Sequence, residues 1–194
     1  MCGRFFLADS DNSGELRSII DQLNRRGAIV KTGEIFPTDT VPVLANNRNR
    51  RVMPFSMQWG YTLPDDRLLI NARSETAGEK ALFQDAMRQH RCLIPATNYF
   101  EWEKRGREKI KYAIRQADAG LLYMAGLYRV ENGRAVFTIL TREPAEQIRF
   151  IHDRMPVILT SNAKQDWLNL DCDAAQTLAQ ACENVVFCAV NVSC

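Results

Sequence analysis

The chain has 194 residues, of which 46% are hydrophobic and 25% charged, the balance of a globular protein with one core of ordinary size. This composition excludes a disordered chain, a coiled coil and a collagen-like repeat, and no apolar run reaches the roughly 18–20 residues of a membrane span. Lysine and arginine total 25 against 23 acidic residues, a net charge of +2 that neither demands nor forbids a nucleic-acid partner.

The opening Met1-Cys2-Gly3-Arg4-Phe5 turns acidic at Asp9 and Asp11, so no secretory signal is expected. Ser13–Arg26 then has the pattern of an amphipathic helix. Ser13 is placed to cap it, Leu16, Ile19, Ile20 and Leu23 share a face, and Gly27 can close it. Val41–Ala45 and Arg51–Trp59 read as strands joined by the turn Asn46–Asn49, with Pro54 weakening the second or placing it at an edge. Leu68–Ile70 is a short strand running into Asn71-Ala72-Arg73-Ser74-Glu75. Glu79–His90 follows as a helix with Leu82, Phe83 and Ala86 inward.

The middle of the chain is rich in strand signals: Arg91–Ile94, Tyr99–Glu103, Ile110–Arg115, Leu121–Arg129 and Ala135–Leu140. Gly106 marks one turn, and Asn132-Gly133 is a two-residue hairpin signal. Pro144–Phe150 predicts a short helix, Met155–Leu159 a strand, Asn162–Leu168 and Ala174–Cys182 two more helices, and Val185–Val190 a last strand. No linker or repeat divides the series. The expected architecture is one α+β domain over residues 1–194, with a mixed, largely antiparallel sheet and peripheral helices.

Six cysteines are present: Cys2, Cys92, Cys172, Cys182, Cys188 and Cys194. None forms a C-x-x-C pair, and His90 and His152 lack a Cys or His at ligand spacing, so no metal or cofactor is expected. The thiols read as reduced and cytoplasmic, and all but Cys2 as small buried hydrophobes. Cys2 differs because removal of Met1 would set an α-amine and a thiol on neighbouring carbons. The amine titrates at about 7.7–8.0, leaving roughly a tenth neutral at pH 7. Such an aminothiol traps an aldehyde as an imine and then closes through sulfur to a five-membered thiazolidine. On their own, Glu101 reads as a solvent-facing strand carboxylate and His152 as a structural histidine, and Asn71 could simply bond a turn.

Five segments occur in a telling order: Met1-Cys2-Gly3-Arg4-Phe5; Trp59-Gly60 before Ile70-Asn71-Ala72-Arg73-Ser74-Glu75-Thr76; Ile94-Pro95-Ala96; Tyr99-Phe100-Glu101-Trp102; and Ile151-His152-Asp153-Arg154-Met155-Pro156. From Met1 to about Leu159 the chain resembles the SRAP family, the SOS response-associated peptidase domain of abasic-site processing proteins. The resemblance implies covalent capture of abasic sites in single-stranded DNA by Cys2, protecting the lesion. It implies that Asn71 orients the Cys2 backbone and the opened sugar, that Glu101 is the general acid and base, and that His152 assists proton transfer. Arg4, Arg73 and Arg154 match phosphate-contacting arginines, and Pro37 matches a proline wedged beside the lesion. A carboxyl and an imidazole suit the proton movements that open a hemiacetal near neutral pH, and arginine forks suit phosphate oxygens.

Two departures stand out. Glu34 occupies the place of an Asn in the family's Tyr-Asn-x-x-Pro segment, setting a carboxylate near the expected DNA path. A tryptophan pair is replaced by Leu63-Pro64-Asp65-Asp66. The basic stretch Lys104, Arg105, Arg107, Lys109 and Lys111 is either a solvated hairpin or a track for a strand of DNA. Two other functions remain open: a thiol peptidase, acting on its own Met1–Cys2 bond, and a non-catalytic single-strand-binding module. A monomer without a membrane partner is expected in each case.

Overall fold

The protein was analysed as a computed structural model that describes residues 2–8, 14–117, 120–180 and 186–193. The alternation of apolar and polar residues that marks the strands is realised in two sheets. The first half of the chain forms β1 (Arg4–Leu7), α1 (Glu15–Asn24), β2 (Gly33–Ile35), β3 (Thr40–Asn46), β4 (Val52–Trp59), β5 (Tyr61–Thr62), β6 (Leu68–Leu69), β7 (Asn71–Arg73) and α2 (Ala81–Gln89). The middle supplies β8 (Arg91–Ala96), β9 (Asn98–Arg105), β10 (Glu108–Gln116), β11 (Leu122–Glu131) and β12 (Arg134–Arg142). The last third adds β13 (Met155–Pro156), β14 (Ile158–Leu159), α3 (Ala163–Asn169), α4 (Cys172–Gln180) and β15 (Phe187–Asn191).

One sheet runs β15-β10-β9-β1-β2 and is antiparallel throughout. The other closes on itself: β12-β4-β3-β8-β11, with β11 pairing back to β12, makes a small barrel. β7 lies parallel to β12 beside it, which places Asn71 opposite Ile139. Helices α1, α2, α3 and α4 pack around the outside. This is the expected α+β architecture with largely antiparallel pairing. Among the described residues, no helix is long and apolar enough to cross a membrane.

The two sheets meet through aromatic side chains. Phe5 of β1 lies 5.2 Å from the Trp59 ring, and Trp59 stacks on Phe137 at 6.3 Å. Such pairs add about 0.5–1.5 kcal/mol beyond their burial. Trp59 Nε1 also donates to the Ile70 carbonyl at 3.0 Å, tying the barrel to the segment that carries Asn71. Gly126 has a packing reason. A Cβ there would come within 2.4 Å of Ile94 Cδ1 and 2.9 Å of the Thr138 carbonyl, where the barrel wall is closest.

Several local expectations change. Helix α2 buries Phe83, Ala86 and Met87, whereas Leu82 is 40% exposed. The i, i+3, i+4 set faces inward, and Leu82 is turned about 100° away from Phe83. Residues 155–159 are two bridges rather than one strand. Met155–Pro156 pair with β12 and Ile158–Leu159 with β11, while Val157 between them bonds Leu140 and Ala125 where those strands splay apart. Pro144–Phe150 yields only a 3₁₀ turn at Glu146–Ile148. Pro54 sits in a stretch of β4 paired on one side only, its carbonyl taking a bond from Arg26. Cys92 is buried as expected, but Cys172 and Cys188 are partly exposed. Ser13, Val185, Cys182 and Cys194 lie outside the described residues.

Candidate active site

Cys2 and Gly3 lead into β1, whose Arg4 pairs with Phe100 of β9. One step further along that register lie Gly3 and Glu101. The Asn71 side-chain amide reaches across from β7 and donates to the Cys2 carbonyl at 2.8 Å. Cys2 is fully buried, and its Sγ lies 3.7 Å from the Arg4 carbonyl oxygen. Asn71 is itself buried, and its Oδ1 has no hydrogen-bond partner among the described residues. A buried amide oxygen without a partner is costly, so this atom is available to a group that arrives beside Cys2.

Glu101 is 3% exposed. Burial raises the pKa of its carboxyl, and the opposite charge available on His152 works the other way. Burial and the Glu101 charge together push the Cys2 thiol far above its ordinary value. His152 stands at the mouth of the site. Its Nδ1 lies 2.6 Å from Asp153 Oδ1 and 3.1 Å from the Arg154 amide nitrogen.

Two adjoining clefts open above these residues. One, of about 480 Å³, is lined by Gly3, Arg4, Glu101, Trp102, Lys104, Lys109, Lys111 and His152. The other, of about 690 Å³, is lined by Arg73, Arg149, Phe150, Ile151, Asp153 and Arg154 and shares Trp102, Lys104 and His152 with the first. Together they form a cationic groove with aromatic walls, the pairing of charge and flat π-surfaces that suits single-stranded nucleic acid. Cross-strand pairing explains the charge: Lys104 faces Lys109 and Trp102 faces Lys111 on one side of the sheet. Of the basic hairpin, Arg105 is held by Glu103, whereas Lys104, Lys109 and Lys111 look into the groove.

The other residues singled out from the sequence are placed unevenly. Arg73 is exposed at the end of β7 and lines the larger cleft. Pro37 is half-buried outside both clefts, one residue beyond Phe36, whose ring lies 4.7 Å from the Arg4 guanidinium. Arg154 lines the larger cleft, but its Nη1 and Nη2 grip the Glu75 carboxylate at 2.7 and 2.9 Å and its Nη2 reaches the Thr141 carbonyl. This clamp holds the segment after Asn71 against β12, and Arg154 in turn lowers the Glu75 pKa. Gln176 of α4 braces the same segment from the other side, donating to the Ser74 carbonyl at 2.7 Å.

Arg154→Ala is therefore expected to cost about 1.5–3 kcal/mol of stability, the range for hydrogen bonds to charged groups. Arg73→Ala should stay within about 0.5 kcal/mol, as for an exposed surface position. Urea denaturation of the two variants separates them, and equal losses would overturn the distinction.

The sequence assigned no role to Trp102, Arg149 or Phe150, and it left Lys111 in a basic stretch open between a solvated hairpin and a track for DNA. The signal for Trp102 and Lys111 was the alternation of Trp102 with Lys104 and of Lys109 with Lys111. Reading it requires knowing that these strands pair.

A buried cysteine at the second position thus lies beside a buried carboxyl beneath a cationic groove. Residues 1–193 match the family model described as SOS response associated peptidase (SRAP), and the chain belongs to that family. It is 33% identical over 195 residues to YoqW of Bacillus subtilis (strain 168), an abasic site processing protein, covering 93% of this chain and 87% of that one. YedK of Escherichia coli (strain K12), of the same designation, is 28% identical, with 94% and 87% covered. A crystal structure of a protein from Bacteroides thetaiotaomicron has the same fold, with a TM-score of 0.75 at 22% identity over 98% of this chain and 93% of that one.

Proposed function

We propose that this chain recognises abasic sites in single-stranded DNA and links to them covalently through Cys2 once Met1 is removed, shielding the lesion. The observation that carries the reading is the Asn71–Cys2 bond, which holds Cys2 beside buried Glu101 at the floor of the cationic groove. Opening of the sugar hemiacetal needs a proton removed from one oxygen and another delivered to the ring oxygen, the work assigned to Glu101 and His152. The Cys2 amine then adds to the C1′ aldehyde, and loss of one water gives an imine. Cys2 Sγ adds to the imine carbon, its proton ends on nitrogen, and a thiazolidine closes. Asn71 Oδ1, buried beside Cys2, is placed to accept from the amine or a sugar hydroxyl.

The peptidase reading fits less well. A nucleophilic thiol needs a depressed pKa, whereas burial and Glu101 raise that of Cys2. In the proposed reaction the amine attacks first, so a protonated thiol is no obstacle to the opening step. The protein is proposed to act as a monomer in the cytoplasm, without a cofactor.

The test is a denaturing gel of processed chain with a single-stranded oligonucleotide bearing one abasic site, beside the same oligonucleotide with every base present. A shifted band is expected with the first alone. No band from chain whose free N-terminal Cys2 has been verified by mass would remove covalent capture. Reversible binding has its own signature. With Arg154 committed to Glu75 and with Arg4 and Lys111 meeting Glu34, about four groove cations (Arg73, Lys104, Lys109 and Arg149) remain for phosphates, which gives a log–log salt slope near −3 on single strands. A slope near zero would remove the groove as the binding surface.

A further inference from the structure

Glu34 introduces a negative charge where the groove is otherwise positive, and the structure gives it two partners. Its Oε1 lies 2.8 Å from Lys111 Nζ and 3.3 Å from Arg4 Nη1. The Lys111 bond is the main cause of a lowered Glu34 pKa, so the carboxylate is charged at neutral pH. Two cations converging on one oxygen is also how a phosphate oxygen is held.

The cations do not depend on Glu34 for their positions. The Arg4 guanidinium lies between the Phe36 and Trp102 rings, 4.7 and 5.1 Å from their centroids. Lys111 Nζ stands 3.9 Å from the Phe100 centroid. Register puts Arg4 opposite Phe100 and Lys111 opposite Trp102 on the same face of the sheet. Cation–π contacts would keep both groups in place if the carboxylate swung away. Glu34 can leave, since its side chain is 32% exposed and ion pairs this open to water are weak. Arg4 and Lys111 also line the cleft that contains Glu101 and His152, so an anion bound between them would sit beside the reactive centre.

We propose that Arg4 and Lys111, set against Trp102 and Phe100, form a phosphate subsite that the Glu34 carboxylate fills in the free protein, so that strand binding exchanges one anion for another. The proposal rests on the reading that single-stranded DNA occupies the groove. It adds a subsite, a self-supplied competitor and a role for Lys111. Glu34 thereby lowers the affinity for any backbone phosphate.

Fluorescence anisotropy with a short labelled oligothymidylate, which has no aldehyde, tests the exchange apart from the covalent step. Wild type, Glu34→Gln, Lys111→Met and the double variant are compared over a range of salt, with thermal melts to establish folding. Glu34→Gln is expected to bind about five- to tenfold more tightly, the scale of two weak ion pairs released. Its salt slope should steepen by about 0.7, the value of one added contact. In the Lys111→Met background the same change should gain clearly less. Wild-type binding with unchanged or weakened binding by folded Glu34→Gln would overturn the subsite while leaving the functional reading intact. Failure of all four folded proteins to bind would remove both.

Discussion

Processed Cys2→Ala should yield no product with an abasic oligonucleotide that survives denaturation, while wild type converts it to a shifted band. The loss is expected to be complete because the stable product needs two bonds to one carbon, and Ala supplies only the nitrogen. The two halves of the chemistry can be separated. Cys2→Ala keeps its α-amine, so an imine should still form reversibly and become visible when borohydride reduces it. A chain that retains Met1 should form no thiazolidine, since the Cys2 nitrogen is then in a peptide bond. A denaturation-resistant band of wild-type intensity from Cys2→Ala would place the linkage on another residue. Asn71 matters to the same result, because its 2.8 Å bond to the Cys2 carbonyl fixes the approach of the terminus. Good placement of reacting groups is worth several kcal/mol of barrier.

Glu101→Gln is expected to slow covalent capture by about 10²–10⁴-fold, the usual contribution of a positioned acid or base, and at the same time to raise the melting temperature at neutral pH. The second effect follows from the elevated pKa of the buried carboxyl. In the folded chain Glu101 holds its proton to a higher pH than in the unfolded chain. Between the two values the folded state binds the extra proton, so stability falls as pH rises through that window. Above it the full cost of burying the charge is present, and Gln removes that cost. The melting advantage of Glu101→Gln should therefore be largest at alkaline pH and shrink toward acid pH. A variant that captures at the wild-type rate, or that melts below wild type at pH 8, would contradict the assignment. Opposite effects on rate and stability are the mark of a group kept for chemistry rather than packing.

Much of the fold could be read in advance where the controlling interactions are local. Asn132-Gly133 turns tightly because both residues adopt positive φ, 49° and 78°, as a two-residue hairpin requires. Helix α1 follows its apolar stripe, with Leu16, Ile19 and Leu23 buried. Where competing partners decide, local pattern misled. Leu82 is as apolar as Phe83 but lies on the outward side of α2, 40% exposed, and residues 155–159 look like one strand yet bridge two.

The same division runs through the site. Cys2, the ordered motifs and the residue types needed for aldehyde chemistry are properties of the sequence, because a 1,2-aminothiol and a family pattern need no tertiary contact to exist. The tertiary structure alone decides which charges are free. Arg154 reads as a phosphate ligand until the packing of β12 brings Glu75 to its guanidinium. Glu34 reads as a repulsive charge until β10 and β1 deliver Lys111 and Arg4 to the same oxygen. Lys104 and Lys109 become part of a groove only because β9 and β10 pair with them on one face. The physical reason is common to all three. The type of each charged group is written in the chain, but its partners come from residues 30 to 79 positions away for Glu34 and Arg154, and only the closed fold brings those together.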